Sequence, residues 1–147
     1  MADKVIVGSD HGGLELKEFL KDVLGKRGVA VEDVGCHSSS SCDYPDFAKD
    51  LAKKVLDEGA PGTLGILVCG TGLGMSMTAN RIPGIRAAVC TSEYMARMAR
   101  AHNDANVLCL GERVIGKGLA ESILDAFLAT EFEGGRHLRR IQAIEQA

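Results

Sequence analysis

Five short runs rich in β-branched and aliphatic residues recur along the chain with segments of helical period between them: Lys4 to Gly8, Val29 to Val34, Leu64 to Cys69, Ile85 to Cys90 and Asn106 to Leu110. That alternation is the signature of βαβ units, and it predicts an α/β fold with a five-stranded parallel sheet covered by helices on both faces. The intervening segments repeat apolar residues at three and four, as in Leu16, Phe19, Leu20, Val23 and Leu24, and again in Phe47, Leu51 and Val55. Gly25 and Gly28 close the first helix, and Pro45 opens the second. A helix over Lys117 to Ala129 is predicted to turn Leu119, Ile123, Leu124 and Phe127 inward. Beyond Gly134 and Gly135, a last helix over about residues 135–146 carries Leu138, Ile141 and Ile144 on one stripe and a basic face beside it. Such a helix docks on its own domain or on a partner subunit, and we favour the partner.

A chain of 147 residues is long enough for one domain, spanning 1–147, with a core that needs no staples. The net charge of −3, the scarcity of aromatics and the lack of tryptophan do not suggest a nucleic-acid surface, so a small-molecule partner is expected. Five cysteines, an odd number, sit mostly in or beside apolar runs, as reduced thiols do in a reducing compartment. No CxxC pair is present, so zinc is not expected. The chain passes from Met1-Ala2-Asp3-Lys4 straight into a strand, and no apolar run approaches membrane-spanning length. The expectation is a soluble cytoplasmic protein.

The chemistry concentrates in Leu64-Gly65-Ile66-Leu67-Val68-Cys69-Gly70-Thr71-Gly72-Leu73-Gly74, where a buried strand delivers one thiol into a glycine-rich turn that opens a helix. Glycines let backbone approach a ligand closely, and amides at a helix start favour negative charge. A thiol beside such donors gains thiolate character, and the thiolate is the reactive form. The same position also suits a small buried hydrophobe, and position alone leaves both readings open.

Parallel sheets bind ligands beyond the carboxyl ends of their strands. Asp10 and His11 follow the first strand, Asp43 and Tyr44 lie after the second, and Cys69 to Gly74 follow the third. Thr91 and Ser92 follow the fourth, and Gly111, Glu112 and Arg113 follow the fifth. Convergence on one rim favours the catalytic reading of Cys69. Asp10 is also an ordinary helix N-cap, and His102, which ends a helix bearing Met95, Met98 and Ala99, is also placed to meet that helix's dipole. Arg136 and Arg140, one helical turn apart, suit either a phosphate clamp or a solvated basic face. The glycine turn lacks the GxGxxG of dinucleotide folds and the GxxxxGK[ST] of nucleotide P-loops, and Met75 stands where a C-x5-R phosphatase loop needs arginine. It is suited to a small oxyanion.

Six motifs in order, Gly8-Ser9-Asp10-His11-Gly12-Gly13, Asp43-Tyr44-Pro45-Asp46, Cys69 to Gly74, Ile85-Arg86-Ala87, His102-Asn103-Asp104-Ala105-Asn106 and Glu133-Gly134-Gly135-Arg136-His137, closely resemble the type B ribose-5-phosphate isomerases. The resemblance runs nearly end to end and extends to the galactose-6-phosphate isomerase subunits. It implies a Rossmann-like three-layer α/β/α sandwich, a homodimer or tetramer, and no metal or cofactor. It implies that Cys69 carries a proton between C2 and C1 of ribose 5-phosphate or ribulose 5-phosphate. The amides of Gly70, Thr71, Gly72, Leu73 and Gly74 and the Thr71 hydroxyl would hold the enediolate. His102 would open the sugar ring; Asp10, His11, Tyr44 and Asn103 would hold hydroxyls or aid opening. Arg113, Arg136 and Arg140 would meet the phosphate, and each site would draw on both subunits. A six-carbon substrate such as allose or galactose 6-phosphate, and a non-catalytic sugar-phosphate-binding module, are the alternatives.

Overall fold

The computed structural model describes residues 2–147. Parallel strands β1 (Lys4–Ser9), β2 (Ala30–Asp33), β3 (Thr63–Cys69), β4 (Ala87–Val89) and β5 (Val107–Gly111) form one sheet in the order β2-β1-β3-β5-β4. Helices α1 (Leu14–Lys26), α2 (Tyr44–Glu58), α3 (Leu73–Ala79) and α4 (Glu93–Ala101) connect successive strands and, with α5 (Lys117–Ala129) after the last strand, cover the sheet, and α6 (Arg136–Glu145) ends the fold. Every position of β3 is buried, as expected of a central strand covered on both faces. Its side chains alternate between two cores. Leu64, Ile66 and Val68 join residues of α1 and α5, whereas Leu67 and Cys69 join Leu51 and Val55 of α2 and Met75 of α3. The predicted α/β/α sandwich is the observed one.

Strand order positions the site. From β1 the chain moves outward to β2, and from β3 it moves to the opposite side, so the direction of winding reverses between β1 and β3, and the carboxyl edge there is where open parallel sheets bind ligands. At that edge Gly111, the last residue of β5, touches the turn after Cys69 so closely that a methyl group there would lie 2.6 Å from the Thr71 carbonyl carbon. We therefore expect Gly111→Ala to cost about 1–3 kcal/mol by overpacking. A thermal melt should show a Tm several degrees lower, with activity falling too because the displaced backbone is the glycine turn.

The inner face of α5 differs from the sequence expectation. On α5 it is Ala120, Ile123, Leu124, Phe127 and Leu128 that are buried, whereas Leu119 is 41% exposed. The small Ala120 lets the helix lie close, and Leu119 rotates outward. On α6 the inner face is His137 and Ile141, one helical turn apart, while Leu138 and Ile144 are about half exposed. The helix thus buries one face on its own chain and leaves its arginines and part of its apolar stripe uncovered. Among the described residues no helix is long and apolar enough to cross a membrane.

Candidate active site

Cys69 ends β3 with 5% of its surface exposed, and the next three residues turn the backbone into α3. Gly72 makes that turn with φ of +82°, a left-handed conformation in which a side chain would also press on the Leu110 backbone. In this conformation the Gly72 N–H donates to Cys69 Sγ at 3.1 Å. A thiolate accepts such a bond more strongly than a thiol does. Exposed Thr71 accepts the Leu73 N–H on Oγ1 at 3.2 Å, which leaves its hydroxyl proton free to donate. The other thiols have different surroundings. Burial pushes Cys90 up to about 11 and Cys109 well above the usual thiol range.

Neighbouring loops close around this turn. Asp10 caps the single 3-10 turn His11–Gly13, its Oδ1 accepting from Gly12 N–H at 2.9 Å and Gly13 N–H at 3.1 Å. The capping role is therefore real, and it uses one oxygen. A methyl on Gly12 would sit 3.5 Å from Gly70 N, so the β1 and β3 loops run side by side. His11 Nδ1 accepts the Cys42 N–H at 3.2 Å, which ties in the loop before α2 and leaves Nε2 for a ligand. Tyr44, at the first position of α2, lays its ring against Gly74, where a Cβ would come within 2.5 Å of Cε1. The Arg113 guanidinium lies over Gly70, with Nη1 3.7 Å from where a Cβ would stand. Asp10, His11, Tyr44, Cys69 to Gly74 and Arg113 thus gather on one edge.

One support of this edge was not read from sequence. Lys17, on the inner face of α1, is wholly enclosed; its Nζ donates to Asp33 Oδ1 at 2.8 Å and to the Cys36 carbonyl at 2.5 Å. Lys21 adds a bond to Asp33 at 2.7 Å, and Gly35 N–H another at 2.8 Å. Burial alone would push the Asp33 carboxyl up, but these hydrogen bonds outweigh it and hold the group below the usual carboxylate range. The network fixes the chain leaving β2 toward Cys42 and Tyr44. Its one sequence signal is a lysine flanked by Leu16 and Leu20 on an apolar stripe.

The remaining candidates lie at the opposite edge. His102 caps the end of α4, which runs back from the carboxyl side, and the chain then enters β5 at Val107 beside Gly65. Cys69 pairs with Gly111 at the far end of the same two strands. The seven residues of β3 span about 20 Å, which is the scale of the separation. Helix α6 stays with His102: the Glu133 N–H donates to the Ala101 carbonyl at 3.0 Å, and the His137 ring stacks on His102 at 4.2 Å between centroids, 13° from parallel. The Glu133 carboxylate lies 3.8 Å from His102 Nε2 and 3.5 Å from His137 Nε2. Near-parallel stacked rings keep their in-plane lone pairs side by side, so this trio is an imidazole stack beside a carboxylate and not a formed metal centre. Asn103, Arg136 and Arg140 are exposed beside it. Among the described residues Arg113, Arg136 and Arg140 have no carboxylate partner, whereas Arg27, Arg86, Arg97 and Arg100 all do. The chain therefore holds two halves: a thiol with amides and one arginine, and an imidazole pair with two arginines.

The chain is similar to known proteins along nearly its whole length. The sequence model of the Ribose/Galactose Isomerase family matches residues 5–144. Ribose-5-phosphate isomerase B of Escherichia coli K12 is 48% identical over 141 residues, 96% of this chain and 93% of that protein. The crystal structure of a ribose 5-phosphate isomerase from Thermotoga maritima superposes with a TM-score of 0.95 at 51% identity, covering 100% of both chains. The Mycoplasma genitalium ribose-5-phosphate isomerase B, solved with bound ribulose 5-phosphate, gives a TM-score of 0.93 at 43% identity over 97% of this chain and 94% of that one. Matched by the family model over nearly its whole length and similar in fold to solved structures of that kind, the chain belongs to the ribose/galactose isomerase family.

Proposed function

We infer that the chain is an aldose–ketose isomerase interconverting D-ribose 5-phosphate and D-ribulose 5-phosphate. The observation that carries this reading is the Cys69 sulfur held by the Gly72 amide at the carboxyl edge of the sheet, within a chain so similar to proteins of that name. The reaction needs no outside oxidant or reductant. The C2 proton moves to the Cys69 thiolate and from there to C1, while the hydroxyl proton passes from O2 to O1. Charge builds on the enediolate oxygens in between, and the amides of the Gly70–Gly74 turn other than the engaged ones of Gly72 and Leu73, with the Thr71 hydroxyl, meet it. His102 donates the proton that opens the furanose ring. Asp10, His11, Tyr44 and Asn103 hold sugar hydroxyls, and Arg113, Arg136 and Arg140 hold the phosphate.

Cys69 and His102 serve one reaction only when a second copy presents its His102 edge to this copy's Cys69 edge. The smallest assembly that completes the site is a homodimer, and a tetramer would repeat the same contact. Exposed Leu73 and Met77 on α3, which follows the thiol, and Leu138 and Ile144 on α6, give that contact apolar surface. The whole sheet with its helices is one isomerase domain, and its unpaired thiols suit the reducing cytoplasm.

A side-by-side assay tests the substrate. Ribose 5-phosphate should give the highest kcat/KM, ahead of allose and galactose 6-phosphates; the reverse order assigns the chain to six-carbon sugars, and no turnover of any would make it a binding module. For Arg140→Ala we expect KM to rise about tenfold or more, as loss of a charge-assisted contact implies, with kcat less affected. An unchanged KM removes Arg140 from the phosphate site.

A further inference from the structure

Arg86 follows Ile85 in a motif to which the proposed chemistry gives no task, yet it is among the most engaged side chains of the fold. Its Nε is shared between the carbonyls of Asn103 at 3.0 Å and Asp104 at 3.1 Å, and its Nη2 meets the Asp104 carboxylate at 3.4 Å. Its Nη1 reaches the Glu145 carboxylate at 2.5 Å, and the other Glu145 oxygen accepts the Gly84 N–H at 2.9 Å. Arg100 grips the same turn from the far side through Asp104 Oδ1 at 3.1 Å and the Ala105 carbonyl at 2.5 Å. Between them stands Asp104 with φ of +45°, a left-handed position uncommon for a side-chain-bearing residue. The surrounding contacts must hold such a conformation in place.

We propose that Arg86 is a positioning residue that, through Glu145, locks the C-terminal helix α6 to the His102–Asp104 turn, so that the ring-opening imidazole and the phosphate-binding arginines are presented as one rigid arm. The arm is pinned at both ends. Its start is held by the Glu133 N–H on the Ala101 carbonyl and by the His137 stack, and its finish by Glu145 on Arg86 and Gly84. Arginine suits the task because its planar fork serves several acceptors at once, which a lysine ammonium on one stem does not. A fixed spacing between the two functional ends matters because one substrate must meet both, its ring at His102 and its phosphate at Arg136 and Arg140. The proposal rests on the phosphate role of those arginines.

The test compares Glu145→Gln, Arg86→Lys, Arg86→Gln and the double variant Arg86→Gln/Glu145→Gln in steady-state kinetics, with inorganic phosphate as a competing ligand and Arg140→Ala as the reference. Glu145→Gln should raise KM for ribose 5-phosphate, and the inhibition constant of inorganic phosphate, about threefold to tenfold while kcat changes less than about twofold. Both arginine variants should raise KM similarly and also lower kcat on cyclic substrate, with Arg86→Lys failing to rescue. The double variant should be no worse in KM than Arg86→Gln alone, since both changes break one link. A folded Glu145→Gln variant with wild-type KM and phosphate inhibition overturns the proposal, as do losses that multiply in the double variant. If Arg140→Ala shifts KM and Glu145→Gln does not, the coupling fails and the phosphate site stands; if Arg140→Ala shifts nothing, the phosphate site itself fails.

Discussion

A chain with Cys69 replaced by alanine should fold, bind sugar phosphate and scarcely isomerise it. Loss of a positioned base costs about 10²–10⁴ in rate, and no other group of this loop can take over, because Met75 and its neighbours supply no carboxylate and the Thr71 hydroxyl is too weak a base. Folding should survive, since the change removes one sulfur from a strand end. The cost is of the order of 1 kcal/mol, mostly from the Gly72 N–H left without its acceptor. Two measurements decide it: turnover of ribose 5-phosphate, and binding of the same sugar followed by calorimetry. Wild-type turnover in this variant would remove the thiol from the chemistry altogether. Loss of both turnover and binding would assign it a structural part instead.

Mixing two inactive variants should restore activity. In a homodimer of the proposed kind each site takes Cys69 from one copy and His102 from the other. A pair built from one Cys69→Ala chain and one His102→Asn chain therefore contains one site with both changes and one with neither. Random re-pairing makes half the dimers mixed, and each mixed dimer has half its sites intact, so activity should return to about a quarter of the wild-type value. The measurement is turnover after the two proteins are unfolded and refolded together, against each refolded alone. No recovery would mean that both residues act within one chain, contrary to the roughly 20 Å set between them by β3.

Legibility in the sequence divides along the same physical lines. β1, β3 and β5 were readable because each is short and largely apolar, and β3 in particular shows the apolar run of a strand buried on both faces. The Cys69 turn was readable because glycine in alternate positions has few other uses. The Asp10 cap was readable as one of two alternatives, and the structure shows how it serves. Which edge each histidine occupies follows from helix direction, a matter of topology, and motif order along a chain carries no record of it. Lys17 and Arg86 were missed for a related reason: their partners, Asp33 and Cys36 for one, Asn103, Asp104 and Glu145 for the other, are brought near only by the packed sheet. Periodicity placed Leu119 within about one position of its true face, and one position on a helix is a rotation of about 100°, enough to turn a side chain from core to water.

The placement of thiol and imidazole on opposed edges also restricts geometry beyond the single protomer. Copies joined head to tail would form an open string, with an orphan thiol at one terminus and an orphan imidazole at the other, unless their rotation closed them into a ring. Two copies related by a half-turn satisfy every group at once, because the contact that supplies one sugar's acid supplies the other's by symmetry. On the proposed pairing a newly made monomer is chemically silent, and catalysis begins only on meeting its twin.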